Sequence, residues 1–344
     1  MLREVLVIKL GTAVITNQEG NIDTSVIKKV AAEIAALSQQ FNIVLVSSGA
    51  VGSGRKFLHN YKGTLSERKA AAAVGNPILI QMYHKYFSVH GITVAQALCE
   101  RVHFSSRKQF LQLRETFATF WDNKIIPVVN ENDLVSNVEI KFSDNDELAT
   151  LIAIGFDASN LVLCTSAGGL LDDKKNIITR IEKVDASVLQ YVRTDTSGPG
   201  LGGMLSKLTF TRLATSLGIN VMICGLKGRH PISDALEGDN GSYFLAKKSN
   251  LRARQKWLAS GSVTLGTIHV DKGAARALQG RKSLLTIGIT KAEGKFVAGE
   301  VIQIMDETGE ILGVAKTRLE ASSINDQLKE KNVIAAHADD IVLF

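Results

Sequence analysis

The first 225 residues alternate between two kinds of segment, and this alternation constrains the fold more than any other feature of the chain. Runs rich in Val, Ile and Leu, each ending in small or polar residues, predict strands buried on both faces of a sheet. Segments between them carry apolar residues three and four positions apart, which is typical of amphipathic helices. The predicted strands are 5–11, 42–50, 92–99, 124–133, 160–169 and 219–225, and the predicted helices are 25–40, 67–89, 107–123, 146–155 and 205–217. This order predicts an α/β fold, a three-layer sandwich with a mainly parallel sheet between helices.

The pattern changes after Trp257. Short apolar runs with period-two alternation and frequent turn residues follow, and Asp306-Glu307-Thr308-Gly309 separates two of them as a hairpin turn would. We therefore expect two domains, residues 1–256 and 257–344, the second small and mostly β. A length of 344 residues agrees with two domains.

Several protein classes are excluded by the sequence. No apolar run approaches the roughly 18 residues that a membrane span requires, and the apolar run near the amino end is too short for a signal-peptide core. We expect a cytoplasmic protein. Cys99, Cys164 and Cys224 are an odd number of widely spaced cysteines, which fits neither a disulfide framework nor a zinc site. We expect three buried free thiols.

The formal net charge of +6 raises the question of a nucleic-acid partner. Residues 257–344 hold 10 basic and 11 acidic side chains, so the surplus lies in the first part of the chain. Much of it is one run at the domain boundary, whose basic residues are Lys247, Lys248, Arg252, Arg254 and Lys256. A solvated linker or helix and an electrostatic patch for nucleic acid are both compatible with this run.

The ends of the predicted strands carry the residues most suited to chemistry, because ligands of a parallel sheet bind beyond the carboxyl ends of its strands. Lys9 ends a buried strand, where an ammonium group is costly unless an anion meets it. A second strand ends in the glycine- and serine-rich segment 47–55. Backbone amides in such a turn can bind oxyanions, although a plain turn explains the glycines as well. A Walker loop and a dinucleotide fingerprint are both missing from these positions.

Two further polar clusters follow. Asn130-Glu131-Asn132-Asp133 ends the fourth strand, and Asp144-Asn145-Asp146 opens the next helix, where one acid can be a mere cap. The segment 197–207 places four glycines before Lys207, a backbone surface suited to nucleotide phosphates. Two lysines and two glycine-rich segments together indicate phosphoryl transfer, which depends on positioning and charge neutralisation. The residues alone thus predict a kinase outside the P-loop class.

These motifs, in this order and spacing, resemble the glutamate 5-kinase family of the amino acid kinase superfamily. The resemblance rests on Lys9-Leu10-Gly11-Thr12, Ser47-Ser48-Gly49-Ala50, Asn130 to Asp133, Asp144 to Asp146 and Gly202-Gly203-Met204-Leu205-Ser206-Lys207, and it covers the whole chain. It implies a C-terminal PUA-like domain. It also implies transfer of the γ-phosphate of ATP to the side-chain carboxylate of L-glutamate with Mg²⁺, the first step of proline biosynthesis. A kinase for another small carboxylate or for carbamate, and an RNA-binding protein, are the alternatives.

The resemblance also implies roles for individual residues. Lys9 and Lys207 stabilise the transferring phosphoryl group, and Asp146 holds both lysines. Asp133, Asn145 and Ser48 bind glutamate, while Gly11, Gly49 and Ala50 let backbone amides approach the acyl phosphate. The nucleotide-binding positions are Lys9, Gly11, Thr165, Ser166, Leu201, Gly202, Gly203, Met204, Leu205, Ser206 and Lys207. No metal ligand is assigned. The implied partners are a second copy of the chain, as a dimer or tetramer, and L-proline as feedback inhibitor, whereas the charge balance of the second domain speaks against nucleic acid.

Two positions depart from the family pattern. Ser166 stands where an aspartate is usual, and Leu201 stands where a threonine is usual in the glycine-rich segment. Both departures concern contacts to the nucleotide.

Overall fold

The computed structural model of the chain describes residues 3–17, 19, 21–105, 107–134, 144–193, 201–247, 266–328, 330 and 332–343. Its contacts divide it into two units, residues 1–100 with 111–247 and residues 101–110 with 248–344. The boundary predicted at residue 257 and all of the basic run except Lys247 lie outside the described residues.

The first unit is built on a sheet of eight strands in the order β3-β4-β2-β1-β5-β7-β8-β6. These strands are β1 (Glu4–Leu10), β2 (Phe41–Ser47), β3 (Thr93–Cys99), β4 (Ile125–Glu131), β5 (Asn160–Cys164), β6 (Arg180–Ile181), β7 (Asn220–Cys224) and β8 (Ser242–Phe244). All neighbouring pairs are parallel except β7 with β8. The six strands predicted from the sequence are β1 to β5 and β7, so the mainly parallel sheet is confirmed.

Helices lie on both faces of this sheet. The helices with residues in the first unit are α1 (Thr12–Ile15), α2 (Thr24–Leu37), α3 (Ala50–Gly54), α4 (Leu65–Ser88), α6 (Arg107–Asp122), α7 (Asn145–Gly155), α8 (Ala186–Arg193), α9 (Leu201–Ser216) and α10 (Pro231–Glu237). Helix α6 begins in the second unit, and α5 (Arg101–Ser105) precedes it there. Ile34 of α2, Tyr83 of α4 and Ile232 of α10 share one buried cluster with Leu6 and Ile8 of β1. This cluster is the apolar core on the face of the sheet that α2, α4 and α10 cover.

The other face of the sheet is covered by α7 and α9. Side chains alternate along a strand, so Val7 and Lys9 of β1 point away from the cluster formed by Leu6 and Ile8. There α7 contacts β1, and α9 contacts both α7 and β7. Every residue of α7 from Asp146 to Gly155 is buried. A helix buried on all sides is typical of a central layer rather than an amphipathic surface helix, and this accounts for its run Leu-Ala-Thr-Leu-Ile-Ala-Ile.

The strand ends lie together at one edge. Leu10 at the end of β1 pairs with Ser47 of β2 and with Cys164 of β5, and Cys164 pairs with Cys224 of β7. The segments that leave these strands therefore adjoin one another, as the sequence analysis expected for the candidate site.

The second unit is mostly β, as predicted. It contains β9 (Gly266–Val270), β10 (Leu284–Leu285), β11 (Ile289–Gly294), β12 (Val301–Met305), β13 (Ile311–Lys316), β14 (Ile334–Ala336) and β15 (Ile341–Leu343), with α11 (Lys272–Gln279) and α12 (Ala321–Asp326). Five strands form the order β11-β9-β12-β13-β15, and β10 pairs with β14. The predicted hairpin is confirmed, because β12 and β13 are antiparallel and Asp306 accepts hydrogen bonds from Thr308 and Glu310 in the turn.

Two glycine-rich segments interpreted as loops are partly helical. Segment 47–55 contains α3, and α9 begins at Leu201 rather than at Leu205. In the first segment, glycine is needed because α3 packs closely against α4. A Cβ on Gly54 would lie 1.9 Å from the carbonyl oxygen of Ala71, and one on Gly75 would lie 1.8 Å from that of Ala50. These glycines let α3 and α4 touch backbone to backbone.

Candidate active site

Two lysine side chains meet on one buried carboxylate at the carboxyl edge of the sheet. Lys9 Nζ lies 2.6 Å from Asp146 Oδ1, and Lys207 Nζ donates a hydrogen bond of 2.8 Å to Asp146 Oδ2. The exposed fractions of the Lys9, Lys207 and Asp146 side chains are 7%, 12% and 1%. Because two cations share one anion, the cluster has a formal charge of +1. A second anion entering this site would complete the neutralisation.

Three elements deliver these side chains. Lys9 is the penultimate residue of β1, Asp146 lies in the first turn of α7, and Lys207 lies in the second turn of α9. Asp144 is the N-cap of α7, since its Oδ1 accepts hydrogen bonds from the backbone N–H groups of Asp146 and Glu147 at 2.9 and 3.1 Å. The structure thus separates the two acids: Asp144 caps the helix, and Asp146 binds the lysines.

The cap also ties α7 to α9. Ser206 donates its hydroxyl hydrogen to Asp144 Oδ2 at 2.7 Å, one residue before Lys207 reaches Asp146. Ser206 was predicted to contact nucleotide, and its hydroxyl here points to Asp144. Two adjacent contacts between α7 and α9 therefore fix the position of the Lys207 ammonium group.

A second cluster is made of amides and hydroxyls. The side-chain NH₂ of Asn145 lies 3.0 Å from Ser48 Oγ, 3.0 Å from Asn130 Oδ1 and 3.3 Å from the Ser47 carbonyl oxygen. Among the described residues no donor is hydrogen-bonded to Asn145 Oδ1. The predicted substrate residues Ser48 and Asn145 are thus in direct contact. Asn145 directly precedes Asp146 in the chain.

The turn after Ser48 has the backbone form that a glycine permits. Gly49 has a φ of +104°, and its Cα lies so close to Ile15 that a Cβ would be 2.9 Å from Ile15 Cδ1. Ala50 then begins α3, so the amides of Gly49 and Ala50 lie where the chain turns into that helix. The interpretation as an oxyanion-binding turn stays a prediction.

The ends of β1 and β5 are joined directly. The backbone N–H of Gly11 donates to the carbonyl oxygen of Cys164 at 3.3 Å, and that of Thr165 donates to Cys224 at 2.8 Å. Thr165 is half-buried and Ser166 is exposed in the turn that follows β5. The Gly11 amide, predicted to approach the acyl phosphate, is thus engaged with β5.

The remaining predicted residues fall into two groups. Asp133 is half-buried in the turn after β4, at the same edge of the sheet. Gly202 to Leu205 form the first turn of α9, not the flexible loop that was expected, and Met204 is half-buried while Leu205 is exposed. Residues 135–143 and 194–200, which include Phe142, Ser143 and the first glycines of the segment 197–207, lie outside the described residues.

Sequence reasoning missed two buried polar residues of α4 that stand behind this site. Asn76 Oδ1 accepts a hydrogen bond of 3.2 Å from Asn130 Nδ2, and Tyr83 Oη lies 2.7 Å from Ser47 Oγ. Complete burial raises the pKa of the Tyr83 hydroxyl above its ordinary value, so it stays protonated. An asparagine and a tyrosine among the apolar residues on the buried face of α4 were the available signal.

The three thiols are buried and free, as predicted. Burial raises the pKa of Cys99 to about 12, and the hydrogen bond with Cys224, together with burial, raises the pKa of Cys164. Within the described ranges no group of three or more His, Cys, Asp and Glu side chains could hold a metal ion. In the same part of the chain, none of the helices combines the length and apolar character needed to cross a bilayer.

Comparisons with known proteins agree with this geometry. The sequence profile of the amino acid kinase family matches residues 4–225, and that of the PUA domain matches residues 266–337. A glutamate 5-kinase of Haemophilus influenzae (strain PittGG) is 33% identical over 367 aligned positions that cover both chains completely. A glutamate 5-kinase of Streptococcus pneumoniae (strain Hungary19A-6) is 34% identical and covers 97% of this chain and 95% of its own length.

Solved structures support the fold alone. Carbamate kinase from Giardia lamblia bound to AMP-PNP superimposes with a TM-score of 0.52 at 18% identity, covering 71% of this chain and 99% of that one. A second Giardia carbamate kinase structure gives a TM-score of 0.53 at 16% identity, with coverage of 72% and 100%. The full-length identity to the two bacterial enzymes carries the finer assignment. The chain therefore belongs to the amino acid kinase family, in its glutamate 5-kinase group, and carries a PUA domain in its second unit.

Proposed function

We propose that this chain transfers the γ-phosphate of ATP to the side-chain carboxylate of L-glutamate, giving L-glutamyl 5-phosphate and ADP, the first step of proline biosynthesis. The observation that carries the proposal is the pair of buried lysines on Asp146, 2.6 and 2.8 Å away. Phosphoryl transfer spreads negative charge over the phosphate oxygens, and two fixed ammonium groups with one counter-charge stabilise that charge.

The bond changes are simple. An oxygen of the substrate side-chain carboxylate attacks the γ-phosphorus, a new O–P bond forms, and the bond from phosphorus to the β,γ-bridging oxygen breaks with release of ADP. Lys9 and Lys207 act on the transferring group. Asp146 is the positioning residue that holds their Nζ atoms on either side of one carboxylate.

The arrangement favours a carboxylate as acceptor over a hydroxyl. A hydroxyl acceptor needs a general base to remove its proton, whereas a glutamate side chain, with an ordinary pKa of about 4.3, is already ionised. Both Asp146 oxygens are engaged by ammonium groups, so neither is available to act as a general base on an acceptor. A site whose central carboxylate is used for electrostatics suits an acceptor that brings its own negative charge.

The amide and hydroxyl cluster would bind the amino acid part of the substrate. Asn145 uses its NH₂ on Ser48 and Asn130, so its Oδ1 is left to accept a hydrogen bond from the substrate ammonium. Asp133 would pair with the same ammonium, and Ser48 with a carboxylate oxygen. Gly11, Gly49 and Ala50 would line the path of the acyl phosphate.

For the nucleotide we propose the turn Thr165-Ser166 and the first two turns of α9, from Leu201 to Lys207. Mg²⁺ prefers to be bound through one or two carboxylates and the substrate phosphates with retained waters, so we expect it to enter with ATP. When bound there, it would neutralise charge on the phosphate oxygens. No residue of this chain is assigned as its ligand.

Four further expectations stay predictions. They are a dimer or tetramer, inhibition by L-proline at the amino acid pocket proposed at Ser48, Asp133 and Asn145, a cytoplasmic location, and the lack of a nucleic-acid partner.

The test is ADP release with ATP and Mg²⁺, comparing L-glutamate with aspartate, acetylglutamate, carbamate and uridylate. We expect turnover with L-glutamate alone, lost in Lys9→Ala and Lys207→Ala. Turnover only with another acceptor would move the substrate assignment. Wild-type rates in both lysine variants would refute the assigned chemistry.

A further inference from the structure

Helix α4 contacts three residues in or next to the amino acid pocket, Ala50, Asn130 and Ser47. No residue of this helix belongs to the predicted site. Its Gly75 lies against the carbonyl oxygen of Ala50, where even a Cβ would be only 1.8 Å away. Asn76 binds Asn130, and Tyr83 binds Ser47. Asn76 and Tyr83 are seven positions apart, so both project from one face of the helix.

The first polar contact controls the orientation of amides. Asn76 Oδ1 accepts a hydrogen from Asn130 Nδ2, which leaves Asn130 Oδ1 to accept from the Asn145 NH₂ at 3.0 Å and from the Glu131 backbone at 2.9 Å. Asn145 consequently presents Oδ1, its acceptor, to the pocket. Asn76 and Asn130 are buried, with 8% and 7% exposed, so water does not easily replace either partner.

The second polar contact holds the neighbouring strand end. Tyr83 is fully buried, and its hydroxyl lies 2.7 Å from Ser47 Oγ, which in turn lies 2.9 Å from the Ser48 carbonyl oxygen. The Ser47 carbonyl is itself within reach of the Asn145 amide at 3.3 Å. Tyr83 therefore holds Ser47 at the end of β2, next to Ser48 and Asn145.

We propose that Asn76 and Tyr83 of α4 are positioning residues for the amino acid pocket, acting through Asn130 and Ser47 on Asn145 and Ser48. The proposal rests on the function proposed above. It assigns no contact with substrate to α4. The lysine cluster is linked to Asp144 and Asp146 of α7, so loss of either α4 contact should weaken binding of the amino acid and leave binding of ATP unchanged.

The experiment compares Tyr83→Phe with Tyr86→Phe and adds Asn76→Leu, in the full chain. Tyr86 is one turn along α4 and half-buried, and among the described residues its hydroxyl has no hydrogen bond to either strand end. The two tyrosine variants therefore lose the same atom from the same helix. KM for L-glutamate, KM for ATP and equilibrium binding of L-glutamate without ATP are measured for each.

We expect Asn76→Leu to raise KM and Kd for L-glutamate about 5- to 30-fold, since a buried amide loses its partner. Tyr83→Phe should raise both about two- to fivefold, and Tyr86→Phe should change neither. KM for ATP should stay within about twofold throughout. If Asn76→Leu does not fold, the tyrosine pair decides alone.

Unchanged glutamate constants in Tyr83→Phe, or equal increases in KM for glutamate and ATP, would overturn the proposal. A failure of the proposed function itself would show in the wild-type chain, as a lack of turnover with L-glutamate. If the wild-type chain turns over a different acceptor, the same comparison is made with that acceptor, and the split between the two KM values still decides the role of α4.

Discussion

Replacing Asp146 by Asn keeps the shape of the side chain and removes the one carboxylate that, in the described part of the chain, binds both buried lysines. The formal charge of the cluster rises from +1 to +2. Removing one partner of a buried ion pair costs about 3–5 kcal/mol of unfolding free energy. With a urea slope of about 3 kcal/mol/M for a unit of this size, the unfolding midpoint should fall by about 1 to 1.7 M.

Urea unfolding followed by tryptophan fluorescence measures this loss, in a Trp257→Phe background that leaves Trp121 as the reporter. Trp121 lies in the first unit, and its indole N–H donates to the Ile43 carbonyl oxygen at 3.0 Å. Activity should fall at least about 100-fold in Asp146→Asn, because the lysines lose the carboxylate that positions them.

The double variant Asp146→Asn with Lys207→Met separates charge from chemistry. It restores the formal charge of +1, so part of the lost stability should return, while activity stays absent because Lys207 is missing. A wild-type midpoint in Asp146→Asn, or no recovery in the double variant, would refute the electrostatic reasoning.

Three further changes test the packing. Gly54→Ala should destabilise the first unit by about 1–3 kcal/mol, measured by urea unfolding, because its Cβ would lie 1.9 Å from a backbone oxygen of α4 that cannot move aside. A neutral effect would contradict the close helix contact. Thr150→Val should raise the melting temperature by a few degrees, since the buried Thr150 hydroxyl has no hydrogen-bond partner among the described residues; a lower melting temperature would show that the hydroxyl is satisfied. A thiol reagent at pH 8 should not label Cys99, Cys164 or Cys224 in the native chain and should label all three after unfolding, because burial keeps them protonated and inaccessible. Labelling of the native chain would contradict this.

Much of the fold was predictable because strands buried on both faces have an unmistakable composition. The order of strands and helices predicted the parallel sheet, and the polar strand ends predicted the edge where Lys9, Asp146 and Lys207 meet. The short strands β6 and β8 escaped prediction, because two or three residues give no periodicity to read.

The glycine-rich segments show where local reasoning fails. Glycines in segment 47–55 indicate phosphate binding or a turn when the sequence is considered alone, yet Gly54 serves the contact between α3 and α4. That role depends on Gly75, 21 positions further along the chain. Asn76 was missed for the same reason, since its partner Asn130 lies 54 positions away and only the fold brings them together.

The bond that the proposed reaction forms can be observed directly. L-Glutamate labelled with ¹⁸O in both side-chain carboxylate oxygens is incubated with the wild-type chain, ATP, Mg²⁺ and hydroxylamine. Hydroxylamine attacks the carbonyl carbon of an acyl phosphate, so the released phosphate keeps the bridging oxygen that came from glutamate. The account predicts a hydroxamate and phosphate that carries one ¹⁸O atom, detected by ³¹P NMR. Phosphate without ¹⁸O, released at the same rate as ADP, would show that water attacks ATP and would contradict transfer to the glutamate carboxylate.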